Sequence, residues 1–567
     1  MSPDSHDAAQ RRRISRRRLL GAAAAAAATS AMAPALNSSA SASPGIPDPS
    51  GGRPGNGIGD PSRPRTAIIV GSGFGGCVAA LRLGRAGYRT TVLERGRRWD
   101  TDGGDDAFPL LMAPDRRVAW FADHPSINQL TRITPIERYP GLVDRIHGQG
   151  ADAVFGAGVG GGSLTFGTFS IQPRRREWEQ LYPDSISYDE MDSTWYPLAM
   201  AETGVSPLPD DLLARPEWRG ARAWLDTVAD AGLEATRHHF AIDWDRVREE
   251  LDGRRPPSVS VGEYLYGTNS GAKLSLDRTY LARAEATGNV EVVPMTEAIG
   301  IDELPDGRME VTSKFIDDTG RELARRRDVA DVVVMAAGSF HSTALLATMR
   351  AAGRLPRLSP MVGENVGTNG DFLVGQTLHR RDFGSRQGGP GVGVAFDEGP
   401  LGPYSLSWEG APIPDIAGGF TTTHLLQVLT PQRGSITADP ATGTATLVYP
   451  HPRADTDVDR QGRAAALHFK HLAHDRHGFP HAGVPVWTQA ADFGTACTWH
   501  LLGGMVMDGA KAHGGAAGAA DAQGRVHGYP GLLVVDGSLL PGSTGMVNPS
   551  LTITAIAERC MHAFLSS

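Results

Sequence analysis

Cysteine is scarce in this chain, with three residues, Cys77, Cys497 and Cys560, among 567. No two of them lie close together in the sequence, and no run of histidine and cysteine has the spacing of metal ligands. Neither a disulfide framework nor a structural zinc site is therefore predicted. Cys77 falls within a glycine-rich stretch, where we interpret it as a small apolar filler.

An excess of positive charge is also lacking, since the formal net charge is -8. Six arginines fall within residues 1–42, and the rest of the chain holds 49 basic and 61 acidic side chains. A net acidic body offers no electrostatic footprint for a nucleic acid. We therefore expect no nucleic-acid partner.

A long, strongly apolar run is missing as well, although the N-terminal segment has the pattern of an export signal. Residues 15–21 read SRRRLLG, which is similar to the twin-arginine signal, and an alanine-rich segment follows from Ala22. Small residues at 31–33 and 40–42 offer cleavage sites. The segment falls short of the about 20 strongly apolar residues of a membrane span, so export is favoured over a membrane anchor. We predict a signal peptide over residues 1–42 and a secreted or cell-envelope location.

The next segment, residues 43–65, is rich in Pro, Gly, Ser and Asp and almost free of large apolar side chains. This composition is typical of a flexible linker. The chain that follows is long enough for two or more domains, which can be interleaved along the sequence.

Residues 66–96 have the pattern of a βαβ unit. The pattern predicts a strand over Ala67–Val70, a helix over about Gly76–Ala86 and a second strand over Thr90–Leu93. A tight, glycine-rich turn joins the first strand to the helix. A glycine motif is informative when a strand precedes it and a helix follows it, as here.

Three glycines of that turn match the fingerprint of a dinucleotide site. Gly71 allows the tight turn, Gly73 lets a pyrophosphate approach the backbone, and Gly76 lets the helix pack closely. Glu94 follows the second strand, where a carboxylate can accept hydrogen bonds from the adenosine ribose. NAD and FAD both use this fingerprint, so the choice of dinucleotide stays open at this point.

Three later segments share the same character. Residues 156–169 read GAGVGGGSLTFGTF, and five glycines among the first seven residues favour a loop laid along a rigid ligand. Residues 331–346 predict a buried strand, an AAGS turn and the start of a helix. Residues 532–538 predict a further apolar strand that ends in Asp-Gly.

In order and spacing, these motifs resemble the glucose-methanol-choline (GMC) oxidoreductases from about residue 66 to residue 565, the last motif being DGSLLPGSTGMVNPSLTITAIAER. Three further stretches are similar to the bacterial cholesterol oxidases of that family. They are YGTNSGAKLSLDRTYLA from Tyr266, GENVGTNGDF from Gly363 and TPQRG from Thr430.

The resemblance implies an α/β fold, α+β overall. A Rossmann-like FAD-binding domain is interleaved with a substrate domain built on a mostly antiparallel sheet with helices. The FAD-binding domain is predicted over residues 66–110, 145–175, 265–375 and 495–567. The substrate-binding domain is predicted over residues 111–144, 176–264 and 376–494.

The resemblance also implies noncovalent FAD, because no histidine lies in or beside the glycine loop, where flavin-linked relatives have one. It assigns the following residues to the cofactor: Gly71, Gly73, Phe74, Gly75, Gly76, Glu94, Gly158, Gly161, Gly162, Ser163, Gly167, Val293, Ala337, Gly338, Asp536, Gly537, Asn548 and Pro549.

Three residues correspond to catalytic positions of the family. His500, in CTWHLLGG, corresponds to the active-site histidine, which orients the substrate hydroxyl and accepts its proton. Asn548, in GMVNPS, corresponds to the active-site asparagine, which hydrogen-bonds near the hydroxyl or the flavin edge. Glu409, in SLSWEGAPIP, resembles the glutamate that moves a proton from C4 to C6 of a steroid. Each also has a structural alternative: a buried core histidine, a helix-start asparagine and a solvated loop glutamate.

The chain departs from the cholesterol oxidase pattern beside these motifs. Phe166 stands where an asparagine is usual, Thr168 replaces a glycine, and Leu501 replaces a proline. Met546 or Val547 is an additional residue before the active-site asparagine. A phenyl in place of an amide removes a hydrogen-bonding group and adds bulk, so a different substrate pose is expected.

The resemblance implies oxidation of a 3β-hydroxysteroid by O₂, which gives the ketone and H₂O₂, with Δ5 to Δ4 isomerisation as a second step. The expected partners are an apolar, sterol-like alcohol and O₂, with at most transient membrane-surface contact and a monomeric state. Residues 108–125 are either apolar entrance loops or buried packing. The alternatives are a dehydrogenase with another electron acceptor, an NAD-dependent reductase and a non-catalytic flavin- or sterol-binding protein.

Overall fold

The computed structural model describes residues 63–104, 106–125, 134–230, 232–377, 382–384, 386–391, 394–397, 406–410, 421–450, 464 and 496–567. Contacts between residues divide the chain into two units, residues 1–47 and 48–567. The first unit lies outside the described residues, as does the second up to residue 62. The export signal and the linker therefore stay predictions.

The strands of the described residues are given in chain order. They are β1 (Thr66–Val70), β2 (Arg89–Leu93), β3 (Val143–Ile146), β4 (Ala151–Gly156), β5 (Phe169–Ser170), β6 (Ala235–Thr236), β7 (His239–Phe240), β8 (Val290–Val293), β9 (Thr296–Glu303), β10 (Met309–Ile316), β11 (Glu322–Ala330), β12 (Val332–Met335), β13 (Asp371–Thr377), β14 (Val394–Asp397), β15 (Leu406–Gly410), β16 (Thr421–Val428), β17 (Ser435–Ala438), β18 (Ala445–Val448), β19 (Ala496–Thr498) and β20 (Leu532–Val534).

The α-helices are α1 (Phe74–Arg85), α2 (Arg175–Leu181), α3 (Tyr188–Glu190), α4 (Tyr196–Thr203), α5 (Asp210–Leu213), α6 (Arg219–Asp230), α7 (Trp244–Leu251), α8 (Ala282–Glu285), α9 (Ser339–Ala351) and α10 (Pro549–Leu565). Short 3₁₀ segments occur at Arg116–Val118, Gly161–Leu164, Pro216–Trp218, Val259–Val261, Lys511–His513 and Gly537–Leu539. Two π-helical turns occur at Met191–Trp195 and Asp277–Leu281.

A five-stranded parallel sheet, in the order β20-β12-β1-β2-β8, forms the centre of the fold. The apolar side chains of β1 and β12 are buried, as expected for parallel strands that are covered on both faces. From β1 the sheet extends on one side to β2 and on the other to β12. An open α/β sheet binds its ligand at such a switch point, beyond the carboxyl ends of the strands. The predicted α/β fold class is confirmed.

The predicted βαβ unit is present with small shifts at its ends. The first strand is Thr66–Val70, and the helix begins at Phe74 rather than at Gly76. The glycines of the turn have low helix propensity, which hides the first helical turn from a sequence pattern. The second strand, Arg89–Leu93, pairs in parallel with β1.

A second, antiparallel sheet has the order β13-β16-β15-β14-β6. Its register places Asp371 opposite Gln427 and Glu409 opposite Leu425. Its strand β13 begins at Asp371, inside the predicted FAD-binding range 265–375, and its strand β6 lies in the predicted substrate-binding range 176–264. The predicted domain ranges as a whole stay predictions.

A small third sheet, β19-β4-β3, joins two distant parts of the chain. β19 pairs in parallel with β4, with Cys497 opposite Asp152. Because parallel strands end at the same edge of a sheet, the glycine loop after β4 and the segment after β19 emerge together. This pairing brings His500 to the glycine loop.

Within residues 108–125, most of the apolar side chains that the structure describes are packed inside. Phe108, Leu111, Val118 and Ala119 are buried in one cluster, whereas Leu110 is 43% exposed. Of the two predicted alternatives for this segment, the structure favours buried packing.

Membrane-spanning helices and clusters of metal ligands are both absent from the part of the chain that the structure describes. No helix in this part of the chain is long and apolar enough to cross a membrane. No group of three or more His, Cys, Asp or Glu side chains is arranged to hold a metal ion there. The three cysteines are free and buried, and the Cys77 thiol lies 3.0 Å from the Ser72 carbonyl oxygen.

Candidate active site

A cavity of about 730 Å³ lies at the carboxyl ends of the parallel strands. Its volume is within the range of roughly 300–1,000 Å³ that is usual for small-molecule and cofactor sites. The predicted site residues that line it are Gly71, Gly73, Phe74, Gly75, Glu94, Gly161, Gly162, Gly167, Ala337, Gly338, His500, Asp536, Gly537, Asn548 and Pro549. The structure thus brings together motifs that are nearly 500 residues apart in the sequence.

Four predicted cofactor residues lie behind the cavity wall. A Cβ on Gly76 would be 2.1 Å from the Gly71 carbonyl oxygen, so this glycine allows the helix to pack on the turn. A Cβ on Gly158 would be 2.8 Å from a Leu164 side-chain carbon. The Ser163 hydroxyl donates to the Gly160 carbonyl oxygen at 2.7 Å. Val293 ends β8, where its carbonyl oxygen accepts a hydrogen bond from the Glu94 amide.

The two glycine loops touch each other through their backbones. Gly71 has a φ of +96°, and a Cβ there would lie 2.5 Å from the Ala336 carbonyl oxygen. A Cβ on Gly161 would lie 2.6 Å from the Gly73 Cα atom. Side chains at these positions would push the loops apart and occupy the space between the strands.

The start of helix α1 is suited to an anionic group. Gly73 is the N-cap residue, no side chain caps the first turn, and the first turn contains no acidic residue. Backbone amides at a helix N-terminus attract phosphate. Gly73, Phe74 and Gly75 all line the cavity, so these amides adjoin it.

Glu94 is buried at the end of β2 and lines the cavity. Its Oε2 atom accepts hydrogen bonds from the Ser72 amide at 3.0 Å and from the Ser72 hydroxyl at 2.7 Å. Its Oε1 atom accepts from the Gly96 amide at 2.9 Å. Each carboxylate oxygen can accept more than one hydrogen bond, so the ribose contact predicted for Glu94 is compatible with these bonds.

Asp536 ties two strand ends together beneath the cavity. Its Oδ2 atom accepts from the Gly338 amide at 2.9 Å and from the Ser342 hydroxyl at 2.5 Å. Its Oδ1 atom accepts from the Ser538 amide at 2.9 Å. Burial raises the pKa of this carboxyl, and these hydrogen bonds oppose the rise. The turns after β12 and β20 are therefore held in one arrangement.

His500 reaches the cavity with its ring held on one side by Asp371. The His500 Nδ1 atom lies 2.8 Å from the Asp371 Oδ1 atom. The Asp371 side chain is fully buried, whereas 16% of the His500 side chain is exposed. A carboxylate can only accept, so Nδ1 carries the hydrogen and Nε2 carries the lone pair in the neutral ring. None of the described residues hydrogen-bonds to Nε2.

Asn548 also lies on the cavity wall, directly before helix α10. It occupies the N-cap position, yet its side chain makes no capping hydrogen bond. Only 7% of the residue is exposed. The predicted helix-start alternative therefore explains its backbone but not the direction of its amide.

Aromatic and aliphatic side chains form another part of the wall. The rings of Phe74 and Phe166 meet edge to face with centroids 5.5 Å apart. Further apolar lining residues are Leu111, Phe169, Leu265, Leu425, Trp499 and Ile553. Beneath Phe166, the buried Lys273 ammonium donates to the carbonyl oxygens of Leu164 and Phe166 at 2.9 and 3.0 Å. Burial lowers the pKa of Lys273 well below its usual value.

Glu409 falls within β15, where its backbone pairs with that of Leu425, a cavity residue. Its side chain lies outside what the structure describes, so its role stays a prediction.

Several residues at this site were not predicted from the sequence. Asp371 and Thr498 contact His500 directly, Gln427 contacts Asp371, and Ser72 holds Glu94. Ser72 occupies a variable position of the glycine fingerprint, so the sequence did not indicate its contact with Glu94. Asp371 lies in the stretch GENVGTNGDF, which suggested the family but not a contact with a histidine 129 residues away.

Comparisons with known proteins agree with this geometry. Residues 431–557 match the family described as GMC oxidoreductase, and residues 69–99 match the NAD(P)-binding Rossmann-like domain. The cholesterol oxidase of Mycobacterium tuberculosis is 28% identical, over 87% of this chain and 89% of that protein. Residues 431–557 thus carry the GMC oxidoreductase pattern, and the chain is similar to a cholesterol oxidase over most of its length. A second relative of this chain is the cholesterol oxidase of Acinetobacter baumannii, 24% identical over 87% of this chain and 93% of that protein.

Solved structures show the same fold. The crystal structure of pyridoxine 4-oxidase from Mesorbium loti covers 88% of this chain, and 99% of that chain is covered in turn. The TM-score is 0.57 at 16% sequence identity. A likeness at this identity concerns the fold, and the chemistry must be argued from the site.

Proposed function

We propose that this protein is a GMC oxidoreductase and an FAD-dependent alcohol oxidase acting on a bulky, apolar, sterol-like alcohol. The secondary alcohol and O₂ would give the ketone and H₂O₂. The observation that supports this most is the His500 ring, whose Nε2 atom faces an apolar-walled cavity while Asp371 engages Nδ1. An imidazole held in this tautomer can accept a hydroxyl proton.

The polar groups that line the cavity are suited to binding noncovalent FAD. The amides at the start of α1 would hold the pyrophosphate, and Glu94 would hold the ribose. Cβ atoms at Gly71 and Gly161 would close the space between the two loops. FAD, when bound, supplies the acceptor for a hydride and passes the electrons to oxygen.

Residues of the protein itself would accept the proton of the substrate hydroxyl. His500 accepts the hydroxyl proton at Nε2 as the carbinol hydrogen leaves as hydride. The buried Asp371 carboxylate stabilises the positive charge that the ring then has. Asn548, on the same wall, hydrogen-bonds the substrate oxygen and keeps it near Nε2.

The wall and the relatives support this substrate class. Aromatic and aliphatic side chains line the cavity together with His500, which favours a large apolar alcohol over a sugar. The two relatives named above are cholesterol oxidases. If the alcohol is a Δ5 steroid, Glu409 would move the C4 proton to C6 in a second step.

Anaerobic stopped-flow mixing of the purified holoenzyme with a 3β-hydroxysteroid tests this proposal. We expect bleaching of the flavin absorbance, and loss of on the order of 100-fold or more in its rate for His500→Ala. His527→Ala, which removes a half-exposed histidine outside the cavity, is the matched control and should react as the wild type does. Bleaching by short polar alcohols or sugars alone would contradict the sterol-like substrate.

Two further measurements separate the rival functions. One H₂O₂ per ketone in air indicates an oxidase, whereas turnover only with a quinone or another acceptor indicates a dehydrogenase. A yellow preparation with one FAD per chain argues against an NAD-dependent reductase. Bound flavin that no alcohol reduces would indicate a non-catalytic flavin- or sterol-binding protein.

We also propose that the protein is exported folded by the twin-arginine route, and acts as a monomer with at most transient membrane-surface contact. The stretch SRRRLLG at residues 15–21 supports the route. Replacing Arg16 and Arg17 with Lys should leave active enzyme in the cytoplasm. Secretion of the double variant at the wild-type level would contradict this route.

A further inference from the structure

The segment Thr368–Asp371 contacts both loops that present the candidate catalytic residues. It lies in the stretch GENVGTNGDF, to which the sequence assigns no chemistry. It leads into β13 of the antiparallel sheet. Its two ends make different contacts: the Asp371 end contacts His500, and the Asn369 end contacts the loop that precedes Asn548.

The Asp371 end holds His500. Besides the contact to Nδ1, the Asp371 Oδ2 atom lies 2.9 Å from the Thr498 hydroxyl, which itself accepts from the His500 amide at 2.9 Å. Gln427, opposite Asp371 in the sheet, donates to its Oδ1 atom at 3.3 Å. The carboxylate is thus fixed by neutral donors as well as by the ring, so the direction of the ring is fixed too.

The Asn369 end holds the loop that leads to Asn548. The Asn369 Nδ2 atom donates to the Val547 carbonyl oxygen at 2.9 Å. Its Oδ1 atom accepts from the Thr544 amide at 2.9 Å and from the Thr544 hydroxyl at 3.1 Å. Asn369 is fully buried and has a φ of +59°, a conformation that asparagine tolerates better than most residues.

Gly370, between these two residues, leaves the segment no room to shift. A Cβ there would lie 1.9 Å from the Val428 carbonyl oxygen, because the backbone rests directly on β16. The Thr368 carbonyl oxygen also lies 3.0 Å from the Thr498 hydroxyl. The distance between the two ends of the segment is therefore set by the sheet.

We propose that Thr368–Asp371 is a bracket that positions His500 and Asn548 relative to each other, with Asp371 and Asn369 as its positioning residues. The inference rests on the proposed function of His500 as proton acceptor. Asp371 keeps the hydrogen on Nδ1, so that Nε2 meets the substrate hydroxyl, and it stabilises the ring after the proton arrives. Asn369 keeps Asn548 at the matching distance through Val547.

The test is Asp371→Asn in the holoenzyme, compared with Asp508→Asn. The control removes the carboxylate of a half-exposed Asp–His pair, Asp508 and His527, outside the cavity. For Asp371→Asn we expect the limiting rate of flavin reduction by the alcohol to fall on the order of 100-fold. The alcohol's dissociation constant and the FAD content should stay within about threefold of wild type, and the control should match wild type in all three.

The pH profile of the reduction rate provides a readout that a merely structural role would not change. Among the described residues, Asp371 is the charged group that hydrogen-bonds the His500 ring. Gln427, 3.5 Å from Nδ1, and Thr498, which accepts from the His500 amide, are neutral. Loss of a negative neighbour favours the unprotonated ring. The acidic limb of the profile should therefore move to lower pH in Asp371→Asn and stay in place in Asp508→Asn.

A second variant tests the other end of the bracket. Asn369→Gly keeps the positive φ accessible and removes the contacts to Val547 and Thr544. We expect a slower limiting reduction rate with an unmoved acidic limb, because the His500–Asp371 contact remains.

The outcomes separate the bracket from the function on which it rests. If His500→Ala is slow while Asp371→Asn reacts within about threefold of wild type with an unmoved acidic limb, the bracket is wrong and the proposed function stands. A rate loss in Asp371→Asn that comes only with lost FAD or lost alcohol affinity also overturns it. If His500→Ala reacts at the wild-type rate, the role of His500 fails, and the bracket fails with it.

Discussion

Thr168 has a backbone conformation that threonine rarely adopts. Its φ is +67°, and its buried hydroxyl has no hydrogen-bond partner within the described structure. For a β-branched residue this region costs roughly 1–3 kcal/mol. The departure from glycine noted in the sequence thus coincides with strain beside the glycine loop.

Thr168→Gly should raise the free energy of unfolding by about 1 kcal/mol, since it relieves the strain and removes an unpaired hydroxyl. Urea unfolding of the holoenzyme at fixed excess FAD measures the change. Thr227→Gly is the matched control, because Thr227 lies inside α6 and its hydroxyl donates to the Ala223 carbonyl oxygen at 2.7 Å. The control should lose about 1 kcal/mol or more. If Thr168→Gly also lowered the free energy of unfolding, that result would contradict backbone strain at Thr168.

Phe166 narrows the cavity where its ring meets that of Phe74. Phe166→Ala removes this bulk, so the ratio of kcat/KM for a bulky steroid to that for a small secondary alcohol should rise about tenfold. Parallel assays of the two alcohols measure the ratio. Phe564→Ala, at the C-terminal end of α10 and outside the cavity, should leave it unchanged. An unchanged ratio in Phe166→Ala would mean that the ring does not select the substrate.

Between elements, a buried ion pair joins helices α1 and α10. The Arg82 Nε atom lies 2.6 Å from the Glu558 Oε2 atom, with the two side chains 6% and 1% exposed. The Tyr280 hydroxyl donates to the Glu558 Oε1 atom at 2.7 Å. Arg82 has a second partner, because its Nη2 atom lies 2.9 Å from the Glu202 Oε1 atom. Removal of Glu558 therefore leaves the buried Arg82 charge with Glu202 alone.

Glu558→Gln should lower the free energy of unfolding by about 2 kcal/mol, less than for a fully orphaned charge, because Arg82 keeps Glu202 as a partner. The double variant Arg82→Met, Glu558→Leu removes both charges of the pair and should recover part of that loss. Urea unfolding of the three proteins compares them. A double variant less stable than Glu558→Gln would show that the pair itself, and not the incompletely paired Arg82 charge, dominates.

Asp144 links three elements: its own strand β3, the end of β2 through Arg95 and helix α9 through His341. The Asp144 Oδ2 atom lies 2.8 Å from Arg95 and 3.2 Å from the His341 Nε2 atom. Burial raises the pKa of Asp144, but Arg95 and His341 together hold it well below its usual value. A carboxyl whose pKa is lower in the folded state stabilises the fold above its unfolded pKa.

Asp144→Asn should therefore cost about 3 kcal/mol between pH 6 and pH 8, and the cost should shrink as the pH falls below about 4. Urea unfolding at several pH values measures this difference. Asp306→Asn, at an exposed ion pair with Arg308, should leave the free energy of unfolding unchanged within the error of the measurement at every pH. A cost that grows below pH 4 would contradict the sign of the shift.

For the whole molecule, the sequence predicted the fold and the glycine-rich part of the cavity wall, because glycine fingerprints and buried parallel strands are local patterns. It did not predict Asp371, since the contact with His500 depends on the register of β13 with β16 and on the pairing of β19 with β4. Nor did the sequence show that Gly161 lies on the cavity wall whereas Gly158 lies behind that wall. A glycine motif gives residue types and spacing, whereas the direction of each peptide depends on the packed loops.

The cavity wall is assembled from distant parts of the described chain, from Val70 to Ile553. A ligand that fills such a cavity binds the folded chain and not the unfolded one, so it stabilises the fold by mass action. At 100 times its dissociation constant, the expected gain is about 2.7 kcal/mol. Apoprotein should therefore unfold at a lower temperature than holoenzyme, and its midpoint should rise steadily with added FAD.

NAD should leave that midpoint unchanged, because the cavity extends beyond the dinucleotide fingerprint to His500 and Asn548, where the flavin is expected. Thermal unfolding followed by tryptophan fluorescence, over a series of FAD and NAD concentrations, measures both effects. Asp508→Asn serves as a control that should respond to FAD as the wild type does. A midpoint that rises equally with NAD would show that the fingerprint alone accounts for binding, and it would remove the structural argument for FAD.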